Sequence, residues 1–243
     1  MAPSPLAISH AACKGHAPEN TLAGIRAALD LGCDGIEIDV HCTRDGVPIL
    51  LHDDTVDRTT DGSGDVRAMT LAEVRRLDAG ARQSDGRFRG EPVPTLAETL
   101  ALTRGRALLV IEIKQSGIAE AVAGIVREAR AVDDVMVWSF LPDAVAAMRA
   151  IAPEIPACQL WPGRRNDPAA LIATALANNA QGIVPEHVLV DEALVGRALR
   201  RGLRLYTWTP DEPDRIAALV RLGVDGICSN YPERVIAART TVR

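Results

Sequence analysis

Lysine is scarce in this 243-residue chain: of its 27 basic residues only Lys14 and Lys114 are lysine, and the rest are arginine. Aromatic residues are rare too, with three tryptophans, two tyrosines and two phenylalanines. No apolar run approaches the roughly 20 residues that a membrane-spanning helix needs, so no span is expected. The five cysteines, Cys13, Cys33, Cys42, Cys158 and Cys228, are odd in number and form no Cys-x-x-Cys pair. That argues against a disulfide framework and against a structural zinc site, and the five read as reduced thiols. A formal net charge of -5 supplies no basic field for nucleic acid. The start, Met1-Ala2-Pro3-Ser4-Pro5, has neither the basic cluster nor the apolar stretch of a secretory leader. A cytoplasmic protein with a small-molecule partner, and without nucleic acid or membrane, is the expectation.

What the chain does have is a set of polar residues placed where apolar runs break off. His10 closes Leu6-Ala7-Ile8-Ser9, and His52 ends Pro48-Ile49-Leu50-Leu51. Glu37 and Asp39 sit inside Gly35-Ile36-Glu37-Ile38-Asp39-Val40, and Glu112 with Lys114 ends the run from Ala107. Strand side chains alternate faces, so Glu37 and Asp39 share one face opposite Ile36, Ile38 and Val40, while Glu112 and Lys114 share a face opposite Ile111 and Ile113. Burying unpaired carboxylates costs several kcal/mol each, roughly, so a cation must meet them. Taken alone, these residues fit a buried salt bridge to Lys114 as well as they fit a metal site.

Helical and strand patterns alternate along the chain. Leu22, Ile25, Ala28 and Leu29 have helical spacing and Gly32 follows as a left-handed cap. The phrase Leu31-Gly32-Cys33-Asp34-Gly35-Ile36 returns as Leu222-Gly223-Val224-Asp225-Gly226-Ile227, the mark of a repeated αβ unit. Strands read near 6, 35 and 107 and at 135–140, 156–160, 182–184, 203–208 and 226–229, with helical segments at 119–131, 143–151, 169–177, 192–201 and 213–222. The pattern predicts a TIM (β/α)8 barrel, one α/β domain over 1–243. A doubly wound open sheet is the runner-up, disfavoured because no glycine-rich dinucleotide loop follows the first strand. Residues 53–100 interrupt the alternation with a turn at Asp61-Gly62-Ser63-Gly64 and two capping boxes, Thr70-Leu71-Ala72-Glu73 and Thr95-Leu96-Ala97-Glu98. This stretch is expected to form a small insertion subdomain after the second strand, over the C-terminal face where barrel active sites are built.

These motifs resemble the glycerophosphodiester phosphodiesterase family. The resemblance rests on His10 with Ala17-Pro18-Glu19-Asn20-Thr21-Leu22, Asp34-Gly35-Ile36-Glu37-Ile38-Asp39-Val40, Thr43-Arg44-Asp45-Gly46-Val47-Pro48 and His52-Asp53-Asp54-Thr55. Asp57-Arg58-Thr59-Thr60, Ile111-Glu112-Ile113-Lys114, Ser139-Phe140, Tyr206-Thr207-Trp208-Thr209 and Gly223-Val224-Asp225-Gly226-Ile227 extend it over nearly the whole chain. It implies hydrolysis of a glycerophosphodiester to glycerol 3-phosphate and an alcohol, with His10 and His52 as the acid/base pair. Glu37, Asp39 and Glu112 would hold one divalent cation, and Lys114 would hold the phosphate. In similar enzymes the substrate's 2-hydroxyl attacks first, giving a cyclic phosphate that water opens. Carboxylate-only ligation favours a hard ion, Mg²⁺ or Ca²⁺, over zinc.

Two positions depart from the family pattern. Ala11 and Ala12 follow His10 where the family has arginine and commonly glycine, so a phosphate contact is missing; Lys14, in the same loop, is expected to replace the positive charge. Ser229-Asn230 stands where Thr-Asp is more frequent. Asn20 and Thr21 open a helix whose free N–H groups are candidates for anion binding, and Asn20 reads equally as its N-cap. His16, His41 and His187 are read as structural. Among the strand-end aromatics, Trp208 and Phe140 are expected at the pocket mouth, where rings stack on glycerol or attract a cationic head. The alternatives are a barrel that binds a phosphorylated metabolite with little turnover, and a lysophospholipase D-like or sugar-phosphodiester activity.

Overall fold

The computed structural model of the chain describes residues 4–84 and 86–241. In chain order it contains β1 (Leu6–Ser9), α1 (Leu22–Asp30), β2 (Gly35–Cys42), β3 (Pro48–Leu50), α2 (Leu71–Val74), α3 (Leu96–Thr103), β4 (Leu108–Ile113), α4 (Ala119–Glu128) and β5 (Val135–Ser139). Then follow α5 (Pro142–Ile151), β6 (Ala157–Trp161), α6 (Pro168–Ala177), β7 (Gly182–Pro185), α7 (Glu192–Arg200), β8 (Arg204–Thr207), α8 (Pro213–Leu222), β9 (Gly226–Ser229) and α9 (Pro232–Thr241). Apart from β3, every strand pairs in parallel with its neighbours, and β1 pairs with both β9 and β2. The sheet is therefore a closed TIM barrel, not an open doubly wound sheet. No helix among the described residues is long and apolar enough to cross a membrane.

The repeated phrase is built the same way twice. Gly32 and Gly223 both end a helix in the left-handed region, with φ of 74° and 76°, where a Cβ is disfavoured. Two residues later Asp34 accepts the Ala7 N–H at 2.8 Å and Asp225 accepts the Leu205 N–H at 2.7 Å, so each turn is tied to the neighbouring strand.

Alternation sorts each strand into two faces. Outward residues such as Ala7, Ile36, Ile38, Val40, Leu109 and Ile111 are buried beneath the helices. Inward residues, among them Ile8, Val110, Met136, Trp138, Leu160, Val184, Tyr206 and Cys228, fill the barrel. β2 alone among the eight parallel strands gives this interior no apolar side chain, because its positions of inward parity are Gly35, Glu37, Asp39 and His41. Buried charge is thus concentrated on two neighbouring strands, at the end where β2 and β4 lie in register with Asp39 beside Glu112.

β3 turns back antiparallel on β2, and the chain then builds a small core of its own from Ile49, Leu51, Val56, Val66, Val74, Ala79 and Val93. Both capping boxes form: Thr70 and Thr95 each accept from the N3 backbone N–H, and Glu73 and Glu98 each return to the cap backbone. The second box starts α3, which packs on α1 and α4 as the barrel helix between β2 and β4.

Candidate active site

Glu37 and Asp39 emerge from β2, Glu112 from β4, and one oxygen of each lies within 4.8 Å of the others, all three side chains being buried. The Lys114 ammonium stands 2.9 Å from Asp39 Oδ1 and 2.6 Å from Glu112 Oε1. Asn20 holds Asp39 twice: its Nδ2 donates to Asp39 Oδ2 at 2.7 Å, and its Oδ1 accepts the Asp39 backbone N–H at 3.0 Å. Glu37 Oε2 accepts the Ala11 N–H at 2.7 Å, whereas its Oε1 is buried with no hydrogen-bond partner among the described residues.

The charges do not balance. With all three carboxyls ionised against one ammonium, this desolvated site would carry two excess negative charges. Burial, reinforced by the charge of Asp39, pushes the Glu37 carboxyl up to about 8. Burial and the neighbouring carboxylates, only partly offset by Lys114, push Glu112 up to about 8 as well. Burial also opposes charge on Asp39, but Lys114, His52 and the Asn20 amide together hold it below the ordinary range. Desolvation likewise disfavours charge on Lys114, and the surrounding carboxylates overcome it and keep the ammonium protonated. A divalent cation would cancel the two excess charges and give Glu37 Oε1 a partner, so the donor set fits a hard ion.

The two histidines rest on different supports. His10 follows β1, and its Nδ1 lies 2.8 Å from Asn230 Oδ1. His52 lies just after β3 with Nδ1 at 2.7 Å from Asp53 Oδ1. Asp53 accepts from Arg58 Nε at 2.7 Å, and the Arg58 guanidinium with His52 draws its carboxyl down to about 2. Arg58 also makes a double hydrogen bond to Glu19, at 2.9 and 2.6 Å. Neither His10 nor His52 has a protein partner at Nε2 among the described residues, so each ring keeps that nitrogen for another ligand. Phe140 and Trp208 meet edge to face at 5.4 Å between centroids, and the Lys114 ammonium is 6.0 Å from the Phe140 ring.

Comparison with known proteins shows the family of the chain. The sequence model of the glycerophosphoryl diester phosphodiesterase family matches residues 10–234. The chain is 35% identical over 237 residues to a glycerophosphodiester phosphodiesterase of Caldanaerobacter subterraneus subsp. tengcongensis, covering 95% of this chain and 96% of the relative. The chain belongs to this family. Among solved structures, a glycerophosphodiester phosphodiesterase from Agrobacterium tumefaciens superposes with a TM-score of 0.84 at 31% identity, over 95% of this chain and 98% of that one. A phosphodiesterase from Oleispira antarctica, solved with the product sn-glycerol-3-phosphate, superposes with a TM-score of 0.85 at 28% identity, over 98% and 96% of the two chains.

Of the residues singled out in this family member's sequence, the structure brings Glu37, Asp39, Glu112 and Lys114 together and sets Phe140 and Trp208 beside them. Lys14 is placed differently: its ammonium pairs with Glu19 at 3.0 Å and its side chain is 45% exposed, against 13% for Lys114. Asn20 is not the helix cap. Thr21 caps α1, accepting from Gly24, and the Ala23 N–H is taken by Glu91, so this helix start offers no free anion site there. Asn20 instead adopts φ of 56°, a left-handed conformation that asparagine tolerates, and turns inward to Asp39. His16 pairs with Glu233, and His41 is buried beside the His52 carbonyl at 3.4 Å.

The sequence reading missed the supporting residues, Asp53, Arg58 and Glu19 behind His52, and Asn230 with Asp211 behind His10. Asp53, adjacent to its histidine, was the legible one. Asp211 lies 201 positions from His10 in the chain and only the closure of the barrel joins them.

Proposed function

We propose that this protein hydrolyses small glycerophosphodiesters to glycerol 3-phosphate and an alcohol, with a divalent cation, Mg²⁺ or Ca²⁺, held by Glu37, Asp39 and Glu112. The observation that carries the reading is the convergence of three buried carboxyls and one ammonium, a group that would hold two excess negative charges when ionised, at the strand ends, together with two histidines whose Nε2 atoms have no partner among the described residues. When bound, the cation supplies charge neutralisation at the phosphoryl oxygens.

The chain's own residues do the rest. Lys114 adds a second positive charge at the phosphate, kept protonated by the carboxylates around it. Asn20 and the Ala11 N–H hold Asp39 and Glu37 in place, so the electrostatic field is set before substrate arrives. His10 carries its proton on Nδ1, facing the Asn230 carbonyl oxygen, and its Nε2 lone pair accepts the proton of the glycerol 2-hydroxyl as that oxygen attacks phosphorus. His52, backed by the Asp53 carboxylate, delivers a proton to the departing alkoxide, a poor leaving group without it. The roles reverse when water opens the cyclic phosphate. Phe140 and Trp208 form a wall against which the glycerol or the alcohol packs. Within a single catalytic domain, the segment 53–100 serves as a subdomain up to the start of α3, which belongs to the barrel, and it brings Arg58 beside His52 at the rim; the reaction takes place in the cytoplasm.

The test is release of glycerol 3-phosphate from glycerophosphocholine or glycerophosphoethanolamine with Mg²⁺ or Ca²⁺, stopped by a chelator and by His10→Ala or His52→Ala. One feature favours a second reading, a barrel that binds a phosphorylated metabolite with little turnover: Ala11 offers no side chain to a phosphate and spends its N–H on Glu37. Tight binding without release in the same assay selects it, and longer or sugar alcohol moieties test the lysophospholipase D-like and sugar-phosphodiester variants.

A further inference from the structure

The strands β8, β9 and β1 are neighbours in the barrel, so the residues just beyond their C-terminal ends, Asp211, Asn230 and His10, come together although the chain separates them widely. The His10 N–H donates to the Ser229 carbonyl at 3.0 Å, continuing the β1–β9 ladder to the residue before Asn230. The three side chains form a line. Asn230 Nδ2 donates to Asp211 Oδ2 at 2.8 Å, and Asn230 Oδ1 faces His10 Nδ1 at 2.8 Å. Asp211 Oδ1 is already engaged, accepting from Ser229 Oγ and the Asn230 backbone N–H, both at 3.0 Å. Its backbone carbonyl accepts from Arg234 at 2.6 Å, which anchors the loop that carries it.

A carboxylate only accepts, so it dictates which end of the Asn230 amide points where. The NH₂ end must face Asp211, the carbonyl end must then face His10, and a carbonyl oxygen can only receive a proton from Nδ1. The tautomer with hydrogen on Nδ1 and a lone pair on Nε2 follows, and it is set two residues away from the ring. We propose that Asp211 is a positioning residue that acts through Asn230 to fix the orientation and tautomer of His10. The functional part of this inference rests on the reading that His10 Nε2 exchanges a proton with the substrate.

The decisive property is direction. Asp211→Asn puts two amides face to face; the amide introduced at 211 uses its oxygen for Ser229 Oγ and the 230 N–H, presents NH₂ to Asn230, and turns the Asn230 amide over. His10 Nδ1 then meets a donor and the hydrogen moves to Nε2. Asn230→Asp sets two carboxylates against each other across 2.8 Å. The double variant Asp211→Asn with Asn230→Asp reverses the polarity of the pair and restores every bond: the new amide donates to the new carboxylate, which accepts from His10 Nδ1.

The experiment is ¹⁵N NMR of the histidine rings, with His10 assigned by its substitution, together with steady-state hydrolysis of glycerophosphocholine in Mg²⁺. In the wild type, His10 should show a protonated Nδ1 and an unprotonated Nε2 in its neutral form. Asp211→Asn should invert or mix that signature and lower kcat about 10- to 100-fold, the scale of outer partners that orient an active histidine, with KM and the Mg²⁺-induced rise in melting temperature unchanged. The double variant should regain the signature and most of kcat over either single change. A wild-type His10 with hydrogen on Nε2, an Asp211→Asn protein with unaltered tautomer, or a double variant no better than its parents would overturn the proposal. Because the NMR signature needs no turnover, a wild-type protein that shows the Nδ1–H form but releases no glycerol 3-phosphate supports the Asp211 link and counts against the hydrolase reading instead.

Discussion

The binding of Mg²⁺ or Ca²⁺ should be coupled to proton release, and the coupling can be worked from the three carboxylates. In the metal-free protein Glu37 and Glu112 titrate at about 8, so at neutral pH they hold protons that a cation must displace. Well below that pH, each displaced proton weakens apparent affinity tenfold per pH unit, and between pH 8 and pH 6 the loss is about 50-fold for one proton and more for two. Stability of the metal-free protein runs the other way from the usual carboxylate. A carboxyl whose folded pKa is raised from 4.5 to about 8 binds more protons folded than unfolded, so its contribution is complete below about 4.5 and is lost as pH rises through 8. For one such group the loss between pH 6 and pH 8 is about 2 kcal/mol, or about 4–8 °C in melting temperature for a chain of this length. Thermal melts across this range, with and without millimolar cation, read the stability arm. Calorimetry in buffers of different ionisation enthalpy counts the protons released. Cation affinity that is flat between pH 6 and pH 9, with no proton released at pH 7, would refute the charge accounting on which the metal assignment stands.

Replacing Lys114 by methionine removes the ammonium that Asp39 and Glu112 share; the metal-free protein should lose about 3 kcal/mol, more at pH 9 than at pH 6, and recover part of it on adding Mg²⁺, as thermal melts will show. Lys14→Ala breaks an ion pair with Glu19 whose lysine is half in water, so stability should change by less than about 1 kcal/mol. If Lys14 leaves Glu19 to meet the phosphate, the same variant raises KM more than it lowers kcat; an unchanged KM removes it from the site. Ala12 holds φ of 68°, where an alanine Cβ is strained, and Ala12→Gly should stabilise by about 1 kcal/mol, seen as a higher melting temperature with the Ala12 N–H still on the Glu37 carbonyl.

Periodicity alone placed the strands and helices, because apolar spacing reports which face is covered. Pro213–Leu222 was legible to the residue, and most strands to within one or two. The acidic pair on β2 and the Glu112 and Lys114 pair on β4 were legible as site residues for the same reason: alternation puts them on one face of each strand. The supports were not. Asn20 read as a cap, since a helix does begin there, and only its left-handed φ turned its amide onto Asp39.

By itself, then, the sequence determined the alternating αβ order, the polar strand ends, the capping boxes at Thr70 and Thr95 and, through its motifs, the family. Each of these is local in the chain or repeats along it. The tertiary structure decided which strand lies beside which, and so that Asp39 stands level with Glu112, that Lys14 goes to Glu19 while Lys114 goes to the carboxylates, and that Asp211 lies behind Asn230 and His10. Such contacts depend on barrel closure and on the few ångströms between neighbouring strand ends, distances that no spacing along a one-dimensional chain encodes.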